Sequence, residues 1–462
     1  MSVEPVMDGF RATPTPATSL EQVRGMFERY LYLPDPTPLY AVLATVLANR
    51  MADGDPVWLI VVAGSSRGKT EIVVSVVGLE DVRLTGKLTE PALLSGTSSK
   101  ERAKNAKGGI LKEVGERGIL VVKDLGAILS MHRDSRAEVL QALRDIFDGR
   151  YSRDVGVDGG KRLEWDGHLG LIGAATTALD RHHAVLTALG ERWLTVRIAE
   201  AGEQEMVRLA LKTKDTAAMR ATLRDVVSSY FAGLGSAEIR MRELDEDEEN
   251  LIVSLSSLVC RARSPVDRDA YSREIVLVHD SEGPVRIARQ LQKLTCAFGV
   301  MGLDRETIWR TVTKIGLDSI PSPRREALLH LLEHGEKKTA ELATLLDLPT
   351  RTTERAIEEL VAHGLLTRGK AGEKDNAANV WRPSATAREF WEGIGKPPVQ
   401  AKSDSPEMSE DHLSNSSDST FDDKTGELGS SSPAALTGST EDVDADEIER
   451  LAAVWREEAQ AS

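Results

Sequence analysis

Apolar residues follow two alternating rhythms along the chain. Leu20 to Tyr32 and Tyr40 to Ala52 carry them at helical spacing. Val57 to Ala63 (VWLIVVA) is a continuous apolar run rich in β-branched residues, the pattern of a strand buried on both faces. A glycine-containing loop and a helix-like stretch, KTEIVVSVVGL, follow, then a short strand near Val82–Leu84. Gly118 to Asp124, Leu169 to Ala175 and Trp193 to Ile198 repeat the buried-strand signal. Arg136 to Phe147 reads as an amphipathic helix and Arg150 to Trp165 as a hairpin around VDGG. Strands alternating with helices predict a parallel sheet covered on both faces.

Residues 201–318 read as mostly helical, a lid on the 19–200 core, with the acidic run Glu243 to Glu249 as a solvated face or loop. Residues 320–394 form a separate small domain with three short helices: Arg324 to Glu333, Thr339 to Leu346, and Thr350 to His363. Thr350 is the expected N-cap of the third. Residues 1–18, rich in Pro and Thr, are expected to be flexible. Residues 395–462 are expected to be a disordered acidic tail, broken only by the amphipathic segment Asp446 to Glu458.

Composition narrows the class. The 462 residues are 41% hydrophobic and 28% charged, ordinary for a soluble protein. No stretch reaches the ~18 consecutive apolar residues of a membrane span. The N-terminal MSVEPVMDGFRATPTP has neither a basic head nor an apolar core, so no secretory signal is expected. Cys260 and Cys296 are too few for a disulfide framework or a four-sulfur metal site, and the expected location is the cytoplasm. The net charge of −15 misleads as an average: residues 399–462 hold 16 Asp/Glu against 4 Lys/Arg, a net of −12. The body is therefore near neutral, and the acidic tail does not argue against a nucleic-acid partner.

Ala63-Gly64-Ser65-Ser66-Arg67-Gly68-Lys69-Thr70 then changes the picture. It fits G-x-x-x-x-G-K-[ST] with Ala first, directly after a buried strand and at the start of a helix. Gly64, Ser65, Ser66, Arg67 and Gly68 would turn backbone N–H groups inward onto phosphate oxygens. Lys69 would reach the β- and γ-phosphates of ATP, and the Thr70 hydroxyl would bind Mg²⁺. Such a site needs a second carboxylate at the end of a neighbouring strand. Asp124 is the candidate. It sits in Lys123-Asp124-Leu125 rather than in an acidic pair, so it is either the metal carboxylate or the water-activating base; Glu90 and Asp148 are spare acids for the latter role. Thr176 and Thr177 either face the γ-phosphate or cap a helix before Leu179. Arg192 (GERW) precedes a strand and would stabilise transition-state charge in a neighbouring subunit. Arg286 (EGPVRIARQLQKL) would reach the phosphates from the lid.

The order of these parts resembles the AAA+ ATPases, and the hairpin and lid are similar to those of superfamily 3 and minichromosome maintenance-type helicases, including helicase-like ATPases of phages and integrative elements. The resemblance covers about residues 20–315. It implies ATP and Mg²⁺ as cofactors and a homo-oligomer with the site between subunits. Residue by residue, it makes Lys69 and Thr70 the nucleotide loop, Asp124 the second acidic motif, Thr176 or Thr177 sensor 1, Arg192 the arginine finger and Arg286 sensor 2.

PTRTTERAIEELVAHGLLTR (349–368) is similar to the recognition-helix part of a winged helix-turn-helix domain. Arg351, Thr352 and Arg355 would lead into a DNA groove, with Arg368 and Lys370 near phosphates on the wing. Arg150, Arg153, Lys161 and Arg162 on the hairpin, and Lys100, Arg102, Lys104, Lys107 and Lys112 before it, would track a phosphate backbone. The predicted fold class is α/β: a P-loop NTPase parallel sheet with a helical lid, then an α+β winged-helix domain and a disordered acidic tail. The predicted function is a DNA-associated, Mg²⁺-dependent ATPase, a helicase or translocase of a mobile element or replication system. The alternative is a transcriptional regulator gated by nucleotide binding without significant hydrolysis. The tail would keep the chain soluble or attract a basic partner; no membrane is expected.

Overall fold

The computed structural model describes residues 18–96, 108–156, 160–182, 192–200, 202–235, 240–269, 271–370 and 379–395. The described residues all fall within one compact unit, 1–401. The expected flexible N-terminus, the bases at 100–107 and the acidic tail beyond residue 395 lie outside the described residues.

Helix α1 (Leu20–Tyr30) starts in a capping box, with Ser19 and Gln22 bonding each other's backbone N–H. Next come α2 (Thr37–Arg50), β1 (Trp58–Val62) and α3 (Lys69–Val74), which tightens into a 3₁₀ turn over Ser75–Gly78. Then follow β2 (Val82–Thr85), α4 (Glu90–Leu93), α5 (Ile110–Val114), β3 (Arg117–Val122), α6 (Gly126–Leu129) and α7 (Arg133–Phe147). The hairpin β4 (Arg150–Val155) and β5 (Lys161–Asp166) precedes β6 (His168–Ala175), a 3₁₀ turn over Thr177–His182 and β7 (Trp193–Arg197). The five central strands pair in the order β2-β3-β6-β1-β7, all parallel. The mixed α/β plan is consistent with a P-loop-like NTPase fold. Successive β1 side chains face opposite cores: Leu59 and Val61 meet α2, while Trp58, Ile60 and Val62 meet α7. Both faces are dry, which is why these strands are unbroken apolar runs.

One glycine is required by this packing. Asn49 ties α2 to the entry of β1, donating to Val57 O at 2.9 Å and accepting from Val57 N at 2.9 Å. A Cβ at Gly170 on β6 would lie 2.4 Å from Asn49 Cγ. Gly170→Ala is expected to destabilise the fold by about 1–3 kcal/mol in denaturant melts, the usual cost of overpacking.

Five helices follow the sheet among the described residues: α8 (Glu203–Lys212), α9 (Thr216–Leu234), α10 (Glu246–Arg263), α11 (Val285–Val300) and α12 (Arg305–Asp318). One expectation is corrected here, and one element is added. The acidic run is not simply a solvated face: Asp245 caps α10, and the buried Glu248 carboxylate is held by Arg242. A bulged hairpin, β8 (Val266–Arg268) and β9 (Ile275–Val278), also interrupts the helices, because Ile-Val-Leu-Val favours a strand and Asp269 closes the turn before it.

The C-terminal part holds α13 (Ser322–His334), β10 (Lys337–Lys338), α14 (Thr339–Leu345), α15 (Thr350–Ala362), β11 (Leu366–Lys370), β12 (Asn379–Pro383) and α16 (Ala385–Ile394), with the strands ordered β10-β12-β11. Thr350 is not the N-cap. Extended Pro349 takes that place, its carbonyl accepting from Thr352 and Thr353, and Thr350 becomes the first helical residue. This module is not detached: Arg324 on α13 donates to Ala262 O and Ser264 O at the end of α10 and to Glu359 on α15. No helix among the described residues is long and apolar enough to cross a membrane.

Candidate nucleotide site and nucleic-acid surface

The loop after β1 has the backbone its sequence requires. Ser66 and Gly68 both adopt the left-handed region, φ +60° and +77°. For Gly68 this is the ordinary use of glycine; for Ser66 it is a strained placement that persists because the loop is held. Lys69 reaches back across the loop and donates to Gly64 O at 2.9 Å. Burial pulls its amine below the usual lysine range, while the negative charges of Asp124 and Glu71 pull it up. Thr70 stands half-buried beside it.

Because the sheet is parallel, β1, β6 and β3 end at the same edge. Asp124, just past β3, lies two strand spacings from β1, about 10 Å, with the end of β6 between them. Asp124 is exposed and its Oδ1 accepts from Gly126 N at 2.9 Å. Thr176, half-buried, and Thr177, exposed, occupy the intervening position, and Thr177 opens the 3₁₀ turn. The sheet thus gathers Lys69, Thr70, Asp124 and Thr177 along one edge.

Arg192 and Arg286 are elsewhere. Arg192 sits just before Trp193, which pairs with Trp58 at the beginning of β1, whereas the loop follows its end. Four residues at about 3.3 Å each separate those ends by about 13 Å. Both guanidinium groups lie over the Phe147 ring, at 5.2 and 5.7 Å from its centroid. Arg192 is 7% exposed and bonds both oxygens of Asp148. Burial lowers its basicity, and Asp148 works against that. Arg286 pairs with Glu282. Arg286, expected to reach the phosphates from the lid, is held by the Phe147 stack at the edge opposite this chain's own loop. Asp148 is removed as a spare base by the same cluster. Glu90 is removed as well, binding Arg153 at 3.2 Å and the Tyr151 hydroxyl at 3.1 Å.

The partners of the loop, Glu203, Leu31 and Tyr32, were not legible in the sequence. Arg67 folds back to pair with Glu203 of α8 at 3.3 Å, leaving its Nη1 buried without an acceptor. Leu31 packs against Gly68: a Cβ there would meet Leu31 Cδ1 at 3.6 Å. Tyr32 leaves no room for a side chain at Gly202, where a Cβ would lie 2.0 Å from its Cε1. Gly202, five residues past β7 and left-handed, opens α8 beside this ring.

The loop fits a nucleotide. It has an orphaned buried donor on Arg67, a lysine spanning its mouth, and hard hydroxyl and carboxylate oxygens at Thr70 and Asp124 of the kind magnesium takes.

The nucleic-acid residues divide. Arg351, Arg355, Arg368 and Lys161 are exposed, and Thr352 is half-exposed. Arg368 lies over the Trp381 ring at 6.0 Å. The β4–β5 hairpin does not offer the cation cluster its sequence suggests. Arg150 is paired with Asp166, Arg162 with Glu164, and Arg153 with Glu90, while Arg153 also donates to Leu94 O. Lys112 donates to Glu164 O at 2.6 Å. Residues 157–159 at the hairpin tip lie outside the described residues.

No family model matches the sequence and no curated protein matches it. Solved structures do show likeness. A full-length MCM homolog from Methanopyrus kandleri gives a TM-score of 0.30 at 13% identity over 74% of this chain and 63% of that one. This chain thus spans less than two thirds of that homolog. The apo C-terminal region of NrS-1 gives 0.26 at 12% identity, over 81% of this chain and 79% of that region. The Aeropyrum pernix ORC1 protein in complex with DNA gives 0.23 at 14% identity, over 79% of this chain and 95% of that one.

Proposed function

We propose that the chain is a DNA-associated, Mg²⁺-dependent ATPase acting in the cytoplasm as a homo-oligomer, a helicase or translocase of a replication system or mobile element. The observation that carries this reading is the loop itself: left-handed Ser66 and Gly68, with Lys69 closing on Gly64 O. The inward amides and Lys69 would bind the phosphates, and Arg67 would turn its free Nη1 to one of their oxygens. Thr70 and Asp124 would hold the magnesium ion, which supplies charge neutralisation on the phosphates when bound. Thr177 would orient a water from the end of β6. Arg192 and Arg286 share one edge while the loop occupies the other, which suits their meeting a second copy's nucleotide. The module beyond residue 320 would bind DNA as a winged helix-turn-helix, with Arg351, Thr352 and Arg355 leading and Arg368 on the wing.

A second reading is favoured by one observation. Lys123-Asp124-Leu125 supplies a single carboxylate, and Glu90 and Asp148 are both engaged by arginines. That suits a transcriptional regulator in which bound nucleotide gates DNA binding. Phosphate release with Mg²⁺ and ATP, measured with and without DNA, separates the two. Turnover raised by DNA is expected. Nucleotide binding without turnover would favour the regulator, and no nucleotide binding would sink both.

A further inference from the structure

The β8–β9 hairpin ends in a tyrosine that the fold does not use. Tyr271 is 98% exposed, beside a turn that is nonetheless tightly built. Asp269 Oδ1 accepts from Tyr271 N at 2.9 Å and Ser272 N at 2.7 Å. Arg273 N returns to Asp269 O, and Asp269 N to Glu274 O. Arg273 itself is held at φ +64°, a conformation that costs a non-glycine residue energy. An aromatic ring presented to water beside a hydrogen-bonded turn with a strained residue offers a contact surface.

The turn faces the start of α15. Arg268, Arg273 and Glu274 on the hairpin and Arg351, Glu354 and Arg355 on the helix line one cleft of about 520 Å³. Arg268 fastens its two walls. It donates to Glu358 at 2.8 Å, Glu359 at 3.1 Å, Arg355 O at 3.1 Å and Arg273 O at 2.9 Å. Arg268 and Arg324, which also donates to Glu359, together balance the two carboxylates that would repel phosphate. Among the described residues, Arg273, Arg351 and Arg355 form no ion pair. Against them stand Glu274 and Glu354, so the open rim is positive by only one charge. A duplex, which offers phosphates and buried bases, would gain little here. A single strand would gain stacking as well, and stacking is tolerant of sequence.

We infer that the hairpin turn and the first turn of α15 form one single-stranded DNA site, in which an unpaired base stacks on Tyr271 and Arg273, Arg351 and Arg355 take the adjoining phosphates. Arg268 is its positioning residue. The inference rests on the proposal that α15 meets DNA, and deepens it by adding lid residues and naming the form of the strand.

The test is fluorescence anisotropy of the full chain with a labelled single-stranded DNA of about 20 nucleotides, the same sequence as duplex, and the same sequence as RNA. Tyr271→Ala is expected to weaken single-strand binding about 5- to 100-fold, Tyr271→Trp to restore it, and duplex binding to change little. Tyr271→Ala should leave the salt dependence of binding unchanged, whereas Arg273→Ala and Arg351→Ala should each reduce its slope by about 0.7. If Arg351→Ala and Arg355→Ala weaken binding while Tyr271→Ala does not, the stacking site is wrong and the proposed DNA role of α15 stands. If none of these changes matters, that role falls too. RNA bound more tightly than DNA would also overturn the inference.

Discussion

Lys69→Ala is expected to remove both nucleotide hydrolysis and nucleotide-dependent stabilisation. The amine is drawn across the loop mouth, and its present acceptor, Gly64 O, is a carbonyl it would leave for a phosphate oxygen. Losing one such preorganised charge lowers turnover about a hundredfold or more. ATP at 100 times its Kd would raise the stability of the intact chain by about 2.7 kcal/mol, and the variant should show none of this in a thermal-shift titration. DNA binding without nucleotide should persist, because α15 and the β8–β9 hairpin do not touch the loop. A variant that still turned over ATP, or still shifted with it, would remove the loop from the mechanism.

That prediction could be framed from the sequence, and the reason is physical. A strand buried on both faces must be written in continuous apolar residues, so β1, β3 and β6 announce themselves, and a loop that wraps phosphate needs glycine where a side chain would not fit. The edge that collects Lys69, Thr70, Asp124 and Thr177 follows from strand direction alone. Pairings between distant segments left no such trace. Nothing in EGPVRIARQ says that Arg286 will share Phe147 with Arg192, or that Glu90 will consume Arg153. Charge counts mislead for the same reason. The β4–β5 hairpin looks cationic in sequence, but Asp166, Glu164 and Glu90 take three of its arginines. The β8–β9 hairpin was missed because its strands are three and four residues long, too short for a period-two pattern to stand out among helices.

Lys293→Met is expected to stabilise the fold at neutral pH, and to do so with a diagnostic pH dependence. Lys293 lies on α11 with no exposed surface, its amine donating to Asp55 O at 3.0 Å in the entry to β1. Burial first, and the Arg117 cation second, push it down to about 8 from 10.5, with Asp53 and Asp55 opposing. The unfolded chain therefore holds this proton more tightly than the folded one. Below about pH 8 both states are charged and the native state bears the full cost, about 3 kcal/mol at about 1.4 kcal/mol per pH unit. Between about 8 and 10.5 the unfolded state binds more protons, so stability rises with pH until the cost is gone. Methionine fills a similar volume without the charge but forfeits the bond to Asp55 O, about 1 kcal/mol. The variant should thus be more stable by about 2 kcal/mol at pH 7 and less stable by about 1 kcal/mol above pH 10.5, the two curves crossing between. Urea melts of both proteins from pH 7 to 11 would show the crossing. Parallel curves would mean that Lys293 keeps an ordinary affinity for its proton, and that the junction between α11 and β1 admits water.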